Sequence, residues 1–149
     1  MPSTTIAGAH CNIGLRLAWP AIMTTVESIH HVGIAVTDLV RSRRFYTTVL
    51  CLEEIPRPDF DFDGAWFRVG EQQIHLIVQQ GAELSRKDGL RTRGDHIALR
   101  VHSYHGTVEH LRLLGVPFEG RPHNKTPWPQ IYLTDPDGHT IELNADRLD

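Results

Sequence analysis

Two cysteines in 149 residues, Cys11 and Cys51, are too few for a disulfide framework and lack the paired spacing of a zinc-thiolate site. Long apolar runs are missing too. The first 25 residues have no basic start, and Arg16 and Pro20 break their apolar stretch, so neither a signal peptide nor a membrane span is readable there. Nor is there an excess of positive charge. The formal net charge of −3 gives no attraction to nucleic acid or to an anionic membrane, and points to a small molecule as partner. Scarce thiols fit a reducing, cytoplasmic setting. With 40% hydrophobic and 22% charged residues the chain has the composition of an ordinary globular protein, long enough for one domain or two small halves sharing a core. What it has in plenty is histidine, ten in all.

Two of these histidines open matching stretches. In Ile29-His30-His31-Val32-Gly33-Ile34-Ala35-Val36 the aliphatic Val32, Ile34 and Val36 alternate with His31, Gly33 and Ala35; in Gly94-Asp95-His96-Ile97-Ala98-Leu99-Arg100-Val101 the aliphatic Ile97, Leu99 and Val101 alternate with His96, Ala98 and Arg100. Each reads as a strand with one oily face and one face carrying a histidine beside small residues.

The surrounding chain repeats as well. After the first strand, Thr37 or Asp38 caps a helix bearing Leu39, Tyr46, Val49 and Leu50 and ending before Pro56. Residues 59–64 read as a loop, and strands follow over 65–69 and 73–79 around the Gly70-Glu71 turn. The polar segment 81–93 reads as a linker. The plan then restarts: strand, Ser103 as cap, a helix with Val108, Leu111 and Leu114 inward, Gly115 as stop, and strands near 131–134 and 140–144 joined by Asp135-Pro136-Asp137-Gly138. The expectation is an α+β fold of two β-α-β-β-β modules, residues 28–80 and 94–146. Met23 reads as an alternative start, which leaves residues 1–25 as a poorly ordered extension whose loss changes little.

In each module the first and last strands offer one metal-competent side chain opposite the aliphatic stripe, which selects His31, His75, His96 and Glu142. His30 falls on the other face and reads as structural. His102, His105, His110, His123 and His139 read as surface residues.

The segments "HHVGIAVTDLVRSRRFYTTVL", "IHLI", "GDHIALRV" and "DPDGHTIEL", in this order, resemble the vicinal-oxygen-chelate superfamily of glyoxalases, bleomycin-resistance proteins and dioxygenases. The resemblance covers residues 28–146. It implies a cupped mixed sheet around a divalent metal (Zn, Ni, Mn, Co or Fe), held by His31, His96 and Glu142, with His75 at a position that some members use. Imidazoles with one carboxylate suit such an ion and leave room for two substrate oxygens, whose developing charge a Lewis acid stabilises. Glu142 is a ligand or the proton-shuttling base.

Around the cup Trp66, Arg68, Arg100, Trp128 and Tyr132 are candidate substrate contacts. Core filling is the rival role for the aromatics, and a protein carboxylate is the rival partner for Arg100. The resemblance implies a glyoxalase-like lyase or isomerase that moves a proton next to a chelated carbonyl. The alternatives are a non-haem iron dioxygenase or a metal-free drug-binding protein, which generally lacks the ligand set.

Departures narrow the choice. Glyoxalase I enzymes carry a carboxylate where this chain has His75, and fosfomycin-resistance enzymes have a Ser-rich segment where this chain has His123 to Pro129. Neither activity is expected on that basis. A homodimer is expected, because each module alone exposes a sheet edge and half a site, so modules pair within a chain or are exchanged between two.

Overall fold

The computed structural model describes residues 25–79 and 90–149. The expected extension, apart from Thr25, and linker residues 81–89 lie outside the described residues. The first module runs β1 (His31–Val36), α1 (Leu39–Arg44, continued by a π-helical turn over Phe45–Val49), β2 (Glu53–Ile55), β3 (Gly64–Val69) and β4 (Gln72–Val78). The second repeats it as β5 (His96–Ser103), α2 (Tyr104–Leu113), β6 (Glu119–Arg121), β7 (Gln130–Thr134) and β8 (Thr140–Arg147). Each module is a four-stranded mixed sheet, ordered β1-β4-β3-β2 and β5-β8-β7-β6. The helical crossover makes the first and last strands of each sheet parallel, and hairpin connections make the other pairs antiparallel. The architecture is α+β.

Local chemistry starts each helix where a donor has to be satisfied. Asp38, rather than Thr37, caps α1 by accepting from the Arg41 amide at 3.0 Å. Ser103 does the same for Gly106 at 3.0 Å before α2. The oily stripes of the sheets turn inward and meet the helices: Val36, Tyr46, Phe67, Leu76, Leu111, Ile131, Leu133 and Ile141 are almost fully buried. Burying one such aliphatic side chain stabilises the fold by about 1.5–3 kcal/mol.

After each helix the chain turns back through the left-handed region. The second module uses Gly115 there, at φ 64°, whereas the first uses Cys51, at φ 54°. Cys51 is the single non-glycine residue with positive φ among those described.

The modules are joined by a buried polar knot on the β7–β8 turn. Asp137 accepts from Thr37 Oγ1 (2.5 Å), Arg41 Nη2 (2.9 Å) and Ser42 Oγ (3.1 Å), all from the first module. Asp135 accepts from Tyr46 Oη at 3.1 Å and from the His139 amide at 2.8 Å. Burial, with the Asp135 carboxylate beside it, pushes the Tyr46 phenol far above its usual range.

Two histidines expected at the surface belong to this junction instead. His139 Nε2 donates to the Ala35 carbonyl at 2.7 Å and His110 Nε2 to the Val49 carbonyl at 3.0 Å, both half-buried. Loop and helix positions concealed them, because side-chain spacing does not show which face meets the other module. Among the described residues no helix is long and apolar enough to cross a membrane.

Candidate functional site

Strand pairing decides which side chains share a face. In the second sheet Ala98, Glu142, Tyr132 and Glu119 lie in one row across four strands, with His96, Thr140 and Thr134 in the next. His96 therefore stands diagonally beside Glu142, and its Nε2 lies 3.0 Å from Glu142 Oε2. The Nδ1 of His96 donates to the Gly94 carbonyl at 2.8 Å. A neutral His96 thus turns the lone pair of Nε2 toward the carboxylate.

Two lone-pair donors facing each other need a proton or a cation between them. Adjacent ligands about 2.1 Å from a metal and at right angles to each other stand about 3.0 Å apart, so the pair has the spacing of two ligands on one ion. A ring N–H tied to a backbone carbonyl is also the usual support of a metal-binding imidazole.

Glu142 is buried and well supported. Its Oε1 accepts from Gln130 Nε2 at 2.5 Å, and the Tyr132 hydroxyl bonds to the same carboxylate. Burial first, and then the Glu142 charge, raises the Tyr132 phenol above its ordinary value, so it stays protonated as a donor.

The first sheet presents the other two candidates. His31 and His75 stack with ring centroids 4.2 Å apart, and His75 stacks in turn on Trp66 at 4.1 Å. His75 Nε2 donates to Gln73 Oε1 at 2.7 Å, leaving Nδ1 as its acceptor. Burial, reinforced by the neighbouring His31 and His30, lowers the His75 pKa and favours the neutral ring. His30 meets His31 edge-on, with their Nδ1 atoms 2.9 Å apart.

The four candidates thus form two pairs on two sheets. Among the described residues no group of three or more histidine, cysteine or carboxylate side chains converges on one point.

Of the expected substrate contacts, Arg100 and Trp128 line one cavity of about 390 Å³ beside Asn144, on the open side of β5 and β8. Arg100 also pairs with Asp146 at 3.3 Å. Tyr132 touches Glu142, and Trp66 touches His75. Arg68 is held by Glu53 at 3.1 Å, across the β2–β3 pair. Sequence reasoning missed Gln130 and Gln73; period-two alternation from Tyr132 and His75 puts both on the histidine faces. A more apolar cavity of about 370 Å³, between residues 49–52 and β5–α2, lies behind the sheet, away from these faces.

A duplicated β-α-β-β-β fold with imidazole and carboxylate side chains on its open sheet faces defines a class of protein. The chain matches the Glyoxalase/Bleomycin resistance protein/Dioxygenase superfamily over residues 28–143, and it belongs to that family. It is 28% identical over 136 residues to the metallothiol transferase FosB of Lysinibacillus sphaericus, covering 84% of this chain and 89% of the relative. A glyoxalase family protein from Bacillus anthracis superposes with a TM-score of 0.69 at 25% identity, over 83% of this chain and 98% of the other. The fosfomycin resistance protein FosX of Listeria monocytogenes superposes with a TM-score of 0.65 at 26% identity, over 81% and 94%.

Proposed function

We propose that this chain is a divalent-metal enzyme acting on a small substrate that chelates through two oxygens, with His31, His96 and Glu142 as ligands and His75 beside them. The observation that carries the reading is the His96–Glu142 pair, 3.0 Å apart with the far nitrogen of His96 tied to a backbone carbonyl. A bound divalent ion supplies Lewis acidity to the substrate oxygens. The remaining work belongs to the chain. Gln130 and Tyr132 orient the Glu142 carboxylate so that Oε2 is left to face His96 as a ligand. Arg100, at the rim of the cavity it shares with Trp128, is placed to meet an anionic group of the substrate. The favoured class is a lyase or isomerase.

Because His31 and His75 stand on one sheet and His96 and Glu142 on the other, the complete site in this reading forms between two chains, one giving its first module and the other its second. The working enzyme is then a cytoplasmic homodimer. A second reading, transfer of a thiol to a chelated substrate, draws on the similarity to the metallothiol transferase. Elemental analysis of protein purified without chelators tests the common part. About one ion per chain is expected, lost in His96→Ala and Glu142→Ala and kept in His30→Ala. Stoichiometric tight metal in His96→Ala would sink the assignment. Proton exchange at the α-carbon of the substrate, with and without an added thiol, separates the two reactions.

A further inference from the structure

The first sheet carries a row of rings of which the chemistry above uses only the His31 end. His31, His75 and Trp66 come from the neighbouring strands β1, β4 and β3, and their rings stack across those strands with interplanar angles of 12° and 6°. Since the stacking axis runs along the sheet, the ring planes stand up from it and turn their edges to the open side. Two further rings continue the row: Phe60 lies 6.1 Å from Trp66, and Phe62 stacks on Phe60 at 5.1 Å. Both phenylalanines are exposed, at 42% and 41%. They are nevertheless held. The Arg57 guanidinium sits 5.0 and 5.3 Å from their centroids, and its Nη2 donates to the Phe62 carbonyl at 2.8 Å. Exposed aromatic surface held in place in the free protein loses little entropy on binding.

Resting on the metal-site reading above, we propose that this aromatic wall selects a substrate carrying an aryl or similarly flat conjugated group next to its two chelating oxygens. With His31 turned to the ion and His75 keeping Nδ1 as an acceptor, Trp66 is the ring of the row whose hydrogen-bearing edge is electropositive throughout; the face of an aryl group is electronegative, so such a group laid against Trp66 makes an edge-to-face contact that a saturated group cannot. One contact of this kind is worth about two- to twelvefold in affinity.

Hydroxamates supply a constant bidentate head with a variable tail. Acetohydroxamate, cyclohexanecarbohydroxamate and benzohydroxamate are titrated by calorimetry into the manganese-loaded full chain. Benzohydroxamate is expected to bind at least about fivefold more tightly than either saturated probe. That ratio falls toward one in Trp66→Leu, while acetohydroxamate binding is kept. Equal affinity for the phenyl and cyclohexyl probes, or a ratio unchanged in Trp66→Leu, overturns the aryl selection alone. Failure of the chain to take up manganese or to bind acetohydroxamate overturns the metal reading and this substrate class with it.

Discussion

If each site draws His31 from one chain and His96 with Glu142 from another, two inactive variants must repair each other. His31→Ala leaves every site of its homodimer without that imidazole, and Glu142→Ala leaves every site without its carboxylate. Equal amounts assembled together give homodimers and mixed dimers in a ratio of about 1:2:1. In the mixed dimer one site takes His31 from the Glu142→Ala chain and the intact His96–Glu142 pair from the other chain, while its second site carries both losses. Tight occupancy then rises from near zero in either variant alone to about 0.25 ion per chain in the mixture, and to about 0.5 in isolated mixed dimers. The contrast is readable, because sharing a typical structural-site binding energy of about 10–16 kcal/mol among four ligands puts each at about 2.5–4 kcal/mol, or roughly 10²–10³ in affinity. The assay is chelator competition followed by elemental analysis of mixed dimers isolated through two different tags. Mixed dimers that hold no tight metal would refute the shared site, as would full occupancy in either variant alone.

Other perturbations probe the frame. Asp137→Ala removes the acceptor for Thr37, Arg41 and the buried Ser42 hydroxyl; Arg41 is half-exposed and counts little, so a loss of about 2–4 kcal/mol is expected in urea titrations. Burial holds the Asp135 carboxyl above its ordinary value of 3.8, so between that value and its folded pKa the native state binds a proton that the unfolded chain has released. Its contribution to stability therefore falls as pH rises through that window, and the difference in stability between wild type and Asp135→Asn should decline upward from about pH 4 and then level off. A flat difference across a series of pH values would contradict this. Cys51→Gly should stabilise the chain by up to about 1 kcal/mol, read as a raised urea midpoint, because it relieves a left-handed residue that its repeat partner Gly115 already accommodates.

Strong alternation made β1 and β5 legible, and the duplicated plan around them pointed to the four candidate side chains, which the fold places on the two sheet faces. The short strands were not legible as separate elements. Glu53–Ile55 ends against Pro56, and Glu119–Arg121 contains no aliphatic residue, so neither shows a pattern of its own; each exists because β3 or β7 offers it a partner edge. The π-helical turn over Phe45–Val49 was equally silent, since it keeps Phe45 and Tyr46 buried much as an ordinary helix would. Alternation reports the face of a sheet on which a residue stands, not which sheet that face meets. This is why His31, His75, His96 and Glu142 were readable as a set while their separation into two pairs was not.

That separation gives the two faces different characters. On β1 the residues following His31 on its face are Gly33 and Ala35, and their neighbours are upright rings; on β5 the residues following His96 are Ala98 and Arg100, beside Glu142, Glu119 and Arg121. One face is aromatic, its charges confined to the paired Arg68 and Glu53 on the far strands; the other is ionic. Two aromatic faces brought together would hold imidazoles with no carboxylate but the Arg68-paired Glu53, and two ionic faces would gather like charges around an open, well-solvated space. An aromatic face against an ionic one supplies imidazole from both sides and carboxylate from one, and its rings exclude water where charge must develop on the substrate, which strengthens the attraction of the ionic wall. The Asp135–Asp137 knot fastens the two modules of one chain together, so that in the proposed homodimer a second copy docking one aromatic face on one ionic face would close the reciprocal pair in the same step.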